Sequence, residues 1–416
     1  MPKFQAPKGT RDLLPPESKR ARRFVGCFAD LVEQAGFGQV VPPMFEDLDV
    51  FLRLGEATDV VTKEMYDFTD KGGRRIALRP EQTASIVRAF VQYRPKIPWK
   101  AWYAGPNFRY ERAQRGRWRQ FDQVGVEVLG TDDPDADVEV IALGWRFYET
   151  LGLRQLTLKL NSLGDGDDRA RFAGALEAYL NANASELSEQ SRATLATNPL
   201  RVLDSKRQED AAIIDGAPSI LDFLSDEAAA AFELVQSGLT ALGVPFVVEP
   251  RLVRGLDYYT RTLFEYAADR LESAQDAVGG GGRYDGLVEA LGGPPTPGIG
   301  FALGVDRTLL ACDEEGAFPA EPQTVDVFVV DTTGGRQATE LCDELRRRGI
   351  SADRSFGGRA MGSQLKQASG SGARVAVIVG DDELAAGTVT LRDLRASEQR
   401  SVDRPKVFEE LEQLLS

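Results

Sequence analysis

The sequence predicts an α+β protein: a largely antiparallel sheet with flanking helices, a helical insertion within it, and a small α/β domain towards the C-terminus. Three observations carry this. Residues 118 to 129 alternate with the period of a β-strand, Val124, Val126 and Val128 on one face and Phe121, Gln123, Gly125 and Glu127 on the other. Residues 164 to 225 instead read as Ala- and Glu-rich helices (ARFAGALEAYL, SELSEQSRATLA) separated by Pro199 and Pro218, before strand-rich sequence resumes past Val244. Beyond an acidic, Pro-containing linker at 314–324, strands alternate with helices. The expected domains are therefore residues 1–320, with the insertion at about 164–225, and residues 325–416.

Residues 17 to 35 form an amphipathic helix whose stripe is Phe24, Val25, Phe28, Leu31 and Val32, with Gly36 beyond its end. A short strand at 39–41 stops at Pro42-Pro43. Segments 64–69 and 74–78, joined through Asp70-Lys71-Gly72-Gly73, make a β-hairpin. It runs into LRPEQT (Leu78 to Thr83) and a helix to about Gln92. Strands at 101–103 and 107–111 then lead into an arginine-rich loop. After the insertion come RLVRGLDYYTRTLFEY (251–266), VGGGGRYDGL (278–287) and TPGIGFALGVDR (296–307). In the last, Gly298, Gly300, Ala302 and Gly304 share one strand face. Such a face leaves space for a flat ligand such as a nucleotide base, or for a close helix-on-sheet contact. Arg307 projects from the first turn of the next helix. The C-terminal domain reads VDVFVVD, helices at 336–348 and 361–370, RVAVIVG and TVTLRDL; its Arg346, Arg347, Arg348, Arg354, Arg359 and Lys366 form either a basic face or solvated helix ends.

The chemistry concentrates in FRYERAQRGRWRQFDQVGVE (108–127). Arg109, Arg112, Arg115, Arg117 and Arg119 fall within eleven residues of a chain whose formal net charge is -14. A cluster of guanidinium forks in so acidic a chain points to a polyanion, phosphate above all. The strand that follows offers Gln123 and Glu127 with Gly125 between them, a slot for a small polar ligand. The chain contains no histidine, which removes Ser-His and Cys-His nucleophile pairs, the HExxH zinc motif and every imidazole base. Cys27, Cys312 and Cys342 lie far apart with no CxxC pair, against both a disulfide framework and a zinc site. The acidic balance confines RNA binding to local basic patches and makes it salt-sensitive. MPKFQAPKGTRDLLPPE lacks the apolar run of a secretion signal and no stretch has the length of a membrane span, so the expectation is a cytoplasmic protein with no membrane partner.

Together these segments resemble the class II aminoacyl-tRNA synthetases, and within them the histidyl-tRNA synthetases, over essentially the whole chain. The helix and strand ending at Pro43 resemble the first class motif, FRYERAQRGRWRQF the second and GIGFALGVDR the third. RLVRGLDYY, GGGGRYDGL and LRPEQT resemble segments particular to the histidyl family. The resemblance implies a homodimer with a class II catalytic domain and a C-terminal anticodon-binding domain, joining L-histidine to tRNA(His) with ATP and Mg²⁺ through a histidyl-adenylate. It implies that Arg109 and Arg307 grip the α- and γ-phosphates of ATP, while Glu111, Arg117 and Phe121 complete that site, Phe121 by stacking on adenine. Glu81, Gln82 and Thr83 align with the segment that binds the substrate's amino group. Gln123 matches a substrate-binding amide and Glu127 the carboxylate that recognises imidazole, with Tyr258, Tyr259 and Tyr284 walling the pocket. Arg109 and Arg254 are the catalytic pair and also touch the histidine. Arg254 stands where other class II enzymes place a metal, a fixed positive charge for the transition state; the alternative is an ion pair with Asp257. Arg112 and Gln114 face the tRNA acceptor end. No Mg²⁺ ligand is implied.

Three positions depart from the family pattern. Tyr110 and Asp122 stand where histidine is frequent, and Ala113 replaces a common proline beside Arg112 and Gln114. A histidine-free enzyme that makes histidyl-tRNA can itself be translated when that product runs out; compositional drift or engineering would leave the same mark. Two other functions use related sequences. One is a regulatory subunit of ATP phosphoribosyltransferase, which usually lacks the C-terminal domain and has eroded ATP motifs. The other is a histidyl-tRNA sensor, which need not keep Arg109, Arg254 and Arg307. Class I synthetases are excluded because their HIGH signature needs histidine, and no GK[ST] phosphate loop occurs.

Overall fold

The computed structural model describes residues 4–53, 63–112, 114–205, 207–253, 258–271 and 276–415. Ala113, Arg254 and Asp257 lie outside the described residues. The chain divides into two compact units, Met1–Asp12 with Ala21–Pro319, and Leu13–Arg20 with Ala320–Ser416.

In the first unit the strands are β1 (Gly38–Gln39), β2 (Phe45–Asp47), β3 (Tyr66–Thr69), β4 (Arg75–Leu78), β5 (Trp99–Phe108), β6 (Gln120–Leu129), β7 (Leu156–Ser162), β8 (Val247–Val248), β9 (Thr260–Ala268), β10 (Ala277–Arg283) and β11 (Gly298–Gly304). Eight of them form one sheet in the order β1-β5-β6-β11-β10-β9-β7-β8. It is antiparallel except for two short parallel pairs at its edges, β1 with β5 and β7 with β8. Strands β2, β4 and β3 make a separate antiparallel sheet.

One face of the large sheet is apolar. Val124, Val126 and Val128 of β6 and Ile299, Phe301 and Leu303 of β11 bury against Phe24 and Phe28, Ile141 and Phe147, and Phe232 and Leu239. These come from the helices Glu17–Gln34, Pro134–Thr150 and Asp226–Ala241. Each such side chain contributes about 1.5–3 kcal/mol by leaving water. With the helices committed to one face, the opposite face of β6 and β11 is left for chemistry.

The two strands expected at 101–103 and 107–111 are one ten-residue strand, Trp99–Phe108. Proline does not break it because β1 pairs only with Ala101 and Trp102, so Gly105 and Pro106 lie on an open edge. Side chains satisfy that edge: Arg79 Nε donates to the Pro106 carbonyl at 2.8 Å and Gln82 Nε2 to the Gly105 carbonyl at 3.2 Å.

The insertion has a core of its own, in which Phe172, Leu176 and Leu180 meet Leu195, Ile213 and Ile220. Asp168 joins its two ends, accepting from the Asp165 amide at 3.0 Å and the Ser225 amide at 3.1 Å.

The second unit has a five-stranded sheet of β12 (Val327–Asp331), β13 (Ala352–Arg354), β14 (Val375–Val379), β15 (Thr388–Asp393) and β16 (Gln399–Asp403), ordered β13-β12-β14-β15-β16. The first three are parallel and the rest antiparallel. Its arginine run is largely spent internally. Arg346 donates to the Ala352 carbonyl, Arg347 pairs with Asp343 at 2.7 Å, and Arg348 lies 4.0 Å over the Phe408 ring. Among the described residues no helix is long and apolar enough to cross a membrane.

Candidate active site

Because Val124, Val126 and Val128 point into the core, Gln123, Gly125 and Glu127 face the other way. Across β5, Gly125 is paired with Tyr103. A Cβ at position 125 would come within 2.4 Å of the Tyr103 phenol oxygen, and one at Gly300 within 1.8 Å of Glu127 Oε2. The glycines therefore give their space to the protein's own polar side chains, which lie flat on the sheet. The β11 face expected to leave space for a flat ligand or for a close helix contact is open only at one end. Tyr284 and Glu127 cover Gly298 and Gly300, while Ala302 and Gly304 remain in an open cleft.

Glu127 is fully buried. Its Oε1 accepts from the Thr83 hydroxyl at 2.7 Å and the Tyr103 hydroxyl at 3.3 Å, and its Oε2 accepts from the Tyr284 hydroxyl. Burial pushes the carboxyl pKa up to about 8, against the opposing hydrogen bonds of Tyr284 and Thr83, and the nearby Glu81 charge adds to the rise. Glu81 is itself buried, and burial raises its pKa also. Glu81 Oε1 accepts from the Ala84 amide at 2.9 Å, capping the helix Thr83–Tyr93, while Oε2 has no partner among the described residues. Gln82 is turned to the strand edge described above.

The three tyrosines expected around Glu127 gather there. Tyr258 packs on Tyr259 and Tyr284, with ring centroids 4.7 and 5.8 Å away. Tyr259 packs among Leu252 and Leu263, within electrostatic reach of Tyr103 and Tyr284. Tyr103 was not anticipated, because its position over Gly125 is set by the register of β5 on β6.

Next to this buried pair lies a cleft of about 490 Å³ lined by Arg109, Glu111, Arg117, Phe121, Gln123 and Arg307. All five residues expected to hold ATP thus share one wall system. Glu111 holds two arginines, its Oε2 3.3 Å from Arg117 Nη1 and its Oε1 3.9 Å from Arg109 Nη1. Arg109 Nε donates to the Pro80 carbonyl at 2.9 Å, and its guanidinium stands 5.3 Å from the Phe121 ring centre. Arg307 Nη1 donates to the Ala277 carbonyl at 2.8 Å. Asn107 donates to Gln123 Oε1 at 2.6 Å, which leaves the Gln123 NH₂ as a donor for a ligand.

The arginine loop divides by role. Arg115 pairs with Glu314 at 2.7 Å, and Arg119 donates to the Glu111 carbonyl while lying 3.8 Å over the Tyr110 ring. These two brace the loop, whereas Arg109 and Arg117 line the cleft. Arg112 is exposed, and the Gln114 backbone closes a tight turn with Arg117. Among the described residues no cluster of three or more Asp, Glu or Cys side chains could hold a metal ion.

Arg283, inside GGGGRYDGL, is structural. It is buried against Asp137, with Nη2 2.5 Å from Oδ2, and donates further to the Thr131 and Asp133 carbonyls.

Residues 9–308 match a family model described as histidyl-tRNA synthetase, and residues 324–414 one described as an anticodon binding domain. The chain is 47% identical to the histidine–tRNA ligase of Corynebacterium jeikeium, over 98% of this chain and 92% of that protein. It is 46% identical to the histidine–tRNA ligase of Corynebacterium kroppenstedtii, over 100% of this chain and 98% of that one. The crystal structure of apo histidyl-tRNA synthetase from S. aureus aligns with a TM-score of 0.82 at 35% identity, covering 99% of this chain and 100% of the other.

Proposed function

The chain belongs to the histidyl-tRNA synthetase family and attaches L-histidine to tRNA(His) at the expense of ATP, and we propose that the cleft and the buried carboxylates beside it divide that reaction between them. The observation that supports this division is the pairing of Glu81 with Glu127. Two buried carboxylates, one with an oxygen lacking any described partner, are linked to an arginine-lined cleft through Arg109, which lines it and acts electrostatically on Glu81. Buried acids call for donors or cations. An α-amino group against Glu81 and an imidazole N–H against Glu127 supply both, and the histidine carboxylate then points towards Gln123 and Arg109. An analogue without the ring N–H leaves Glu127 unmatched, at a cost of about 1–3 kcal/mol.

In the first step a carboxylate oxygen of histidine attacks the α-phosphorus of ATP in line. The bond to the bridging oxygen breaks, pyrophosphate leaves with its electron pair, and histidyl-adenylate remains. Arg109 holds the α-phosphate, Arg307 the γ-phosphate and Arg117 with Glu111 the space between, while Phe121 stacks on adenine. These are preorganised charges that need not move as the transition state forms. Arg254 adds its fixed charge at the α-phosphate on the strength of the family resemblance. In the second step the 3′-hydroxyl of the terminal adenosine of tRNA attacks the acyl carbon, AMP leaves, and a phosphate oxygen of the adenylate takes the proton. Arg112 and Gln114 meet the acceptor end.

Mg²⁺ has no site built from the described side chains. Glu111 is paired with arginines, Asp306 with Arg11 and Glu265 with Lys159. The ion accompanies the ATP phosphates, and no step is assigned to it. We place the enzyme in the cytoplasm as a homodimer, with residues 1–320 catalytic and residues 325–416 reading the anticodon. Exposed Val41, Met44 and Phe45 beside Pro42-Pro43 favour a second copy as the partner. Light scattering that returns a monomer mass at micromolar concentration overturns the dimer.

The test of the site is histidine-dependent ATP–pyrophosphate exchange without tRNA, on wild type and Arg254→Ala. Exchange with histidine alone among the amino acids, lost in the variant, is expected. Absence of exchange in folded wild-type protein overturns the assignment and favours histidine sensing without adenylation.

A further inference from the structure

The cleft assigned to ATP is not a uniformly basic one. Its described lining holds five carboxylate residues against four arginines. A polyanion entering it meets unfavourable charge unless something outside neutralises part of that wall. Two of the acids, Asp122 and Asp306, lie close enough to repel each other. Asp306 immediately precedes Arg307 in the first turn of the helix Val305–Glu315.

The charge that answers Asp306 arrives from the N-terminal segment. Arg11 Nη2 donates to Asp306 Oδ1, and the same guanidinium lies 4.5 Å from the centre of the Trp118 ring. Trp118 and Asp306 both line the cleft, whereas Arg11 does not. The segment is fastened just before this contact. The Gly9 carbonyl accepts from the Arg119 amide at 2.7 Å, and the Thr10 amide and hydroxyl both turn back to the Pro7 carbonyl at 3.0 and 2.8 Å. Gly9 has φ +84, and a Cβ there would come within 2.6 Å of the Arg119 side chain. Only glycine brings the segment this close to the arginine loop.

We propose that Arg11 is a positioning residue of the ATP site: from outside the cleft it neutralises Asp306 and braces Trp118, so that the wall carrying Arg307 and Arg117 presents less negative charge to phosphate. Without it, Asp306 carries an unanswered negative charge in the wall of the cleft and repels the nucleotide phosphates. Arg fits the task because one planar group both pairs with a carboxylate and stacks on an indole; lysine supplies the charge but not the plane. The proposal rests on the assignment of this cleft to ATP.

Histidine-dependent ATP–pyrophosphate exchange on wild type, Arg11→Gln, Arg11→Lys and the double variant Arg11→Gln/Asp306→Asn tests it. Arg11→Gln is expected to raise KM for ATP about tenfold, the scale of one charge-assisted contact, with KM for histidine unchanged. Arg11→Lys falls between the two, and the double variant returns KM for ATP towards wild type because the charge needing an answer is gone. A loss shared by both substrates and not restored by Asp306→Asn reduces Arg11 to a strut for the fold and overturns the proposal. Failure of wild type itself to exchange strikes at the ATP assignment instead, so the two failures are distinguishable.

Discussion

The Thr83 hydroxyl donates a 2.7 Å hydrogen bond to Glu127 Oε1 across 44 residues of sequence. Thr83 opens the helix Thr83–Tyr93 and Glu127 lies on β6, so this bond ties the segment proposed to meet the substrate's amino group to the strand proposed to meet its ring. Thr83→Val keeps the branched shape and removes the donor. We expect KM for histidine in pyrophosphate exchange to rise about tenfold, the scale of one buried hydrogen bond, while KM for ATP moves far less. Equal effects on both substrates would show a general distortion instead.

Glu127 also makes stability depend on pH. Its folded pKa of about 8 lies above the ordinary 4.5. The proton it keeps therefore contributes stability fully below pH 4.5, and that contribution is lost as pH rises to about 8. Glu127→Gln removes the loss. In thermal melts without ligands, the variant should gain on wild type between pH 5 and pH 8.5 while its histidine activation is abolished. A difference in melting temperature that does not change with pH sinks this.

Gly300→Ala tests the close approach on the sheet. The added Cβ meets Glu127 Oε2 at 1.8 Å and the Val126 carbonyl at 2.4 Å, so backbone as well as carboxylate must shift. The expected cost is about 1–3 kcal/mol in urea unfolding, with weakened histidine activation. Gly286→Ala, where nothing lies within 4 Å, is the control and should be silent.

The buried Arg283–Asp137 pair should be among the most sensitive points of the sheet. Asp137→Ala leaves the buried guanidinium with the Thr131 and Asp133 carbonyls and only a long 3.5 Å contact to Asp285, at a cost of about 3–5 kcal/mol. Denaturant midpoints measure it, and a loss under 1 kcal/mol would mean water replaces the carboxylate.

The absence of histidine makes a prediction in the cell. Tyr110 provides a flat ring to Arg119 at 3.8 Å and packs edge-on against Tyr66 at 5.7 Å, so an imidazole at 110 is structurally comparable. Restoring histidine at 110 and 122 should lower expression relative to wild type under histidine starvation. Equal levels on quantitative immunoblots leave composition as the explanation.

What sequence alone revealed follows from which interactions are local. The alternation of β6 and the helix after LRPEQT could be read because each depends on spacing along one segment, whereas the residues assigned to ATP came from the resemblance to the synthetase motifs. Tyr103 could not, because its partner Gly125 is set by the register of β5 on β6. What covers the glycine face of β11 could not be read for the same reason: Glu127 and Tyr284 reach it from other segments of the chain. Composition could not separate Arg109 and Arg117 from Arg115 and Arg119, since identical side chains take opposite roles according to which partner the fold delivers. Arg11 went unnoticed because it lies 295 residues from Asp306.

Asp168 has one last consequence. The chain leaves the sheet after β7 and returns to the helix Asp226–Ala241 at a point held by the same carboxylate, with a separate hydrophobic nucleus between. Departure and return share a doorway. Whatever is built beyond that doorway can lengthen, shorten or be exchanged as a cassette, and no strand of the catalytic sheet need change its register to accommodate it.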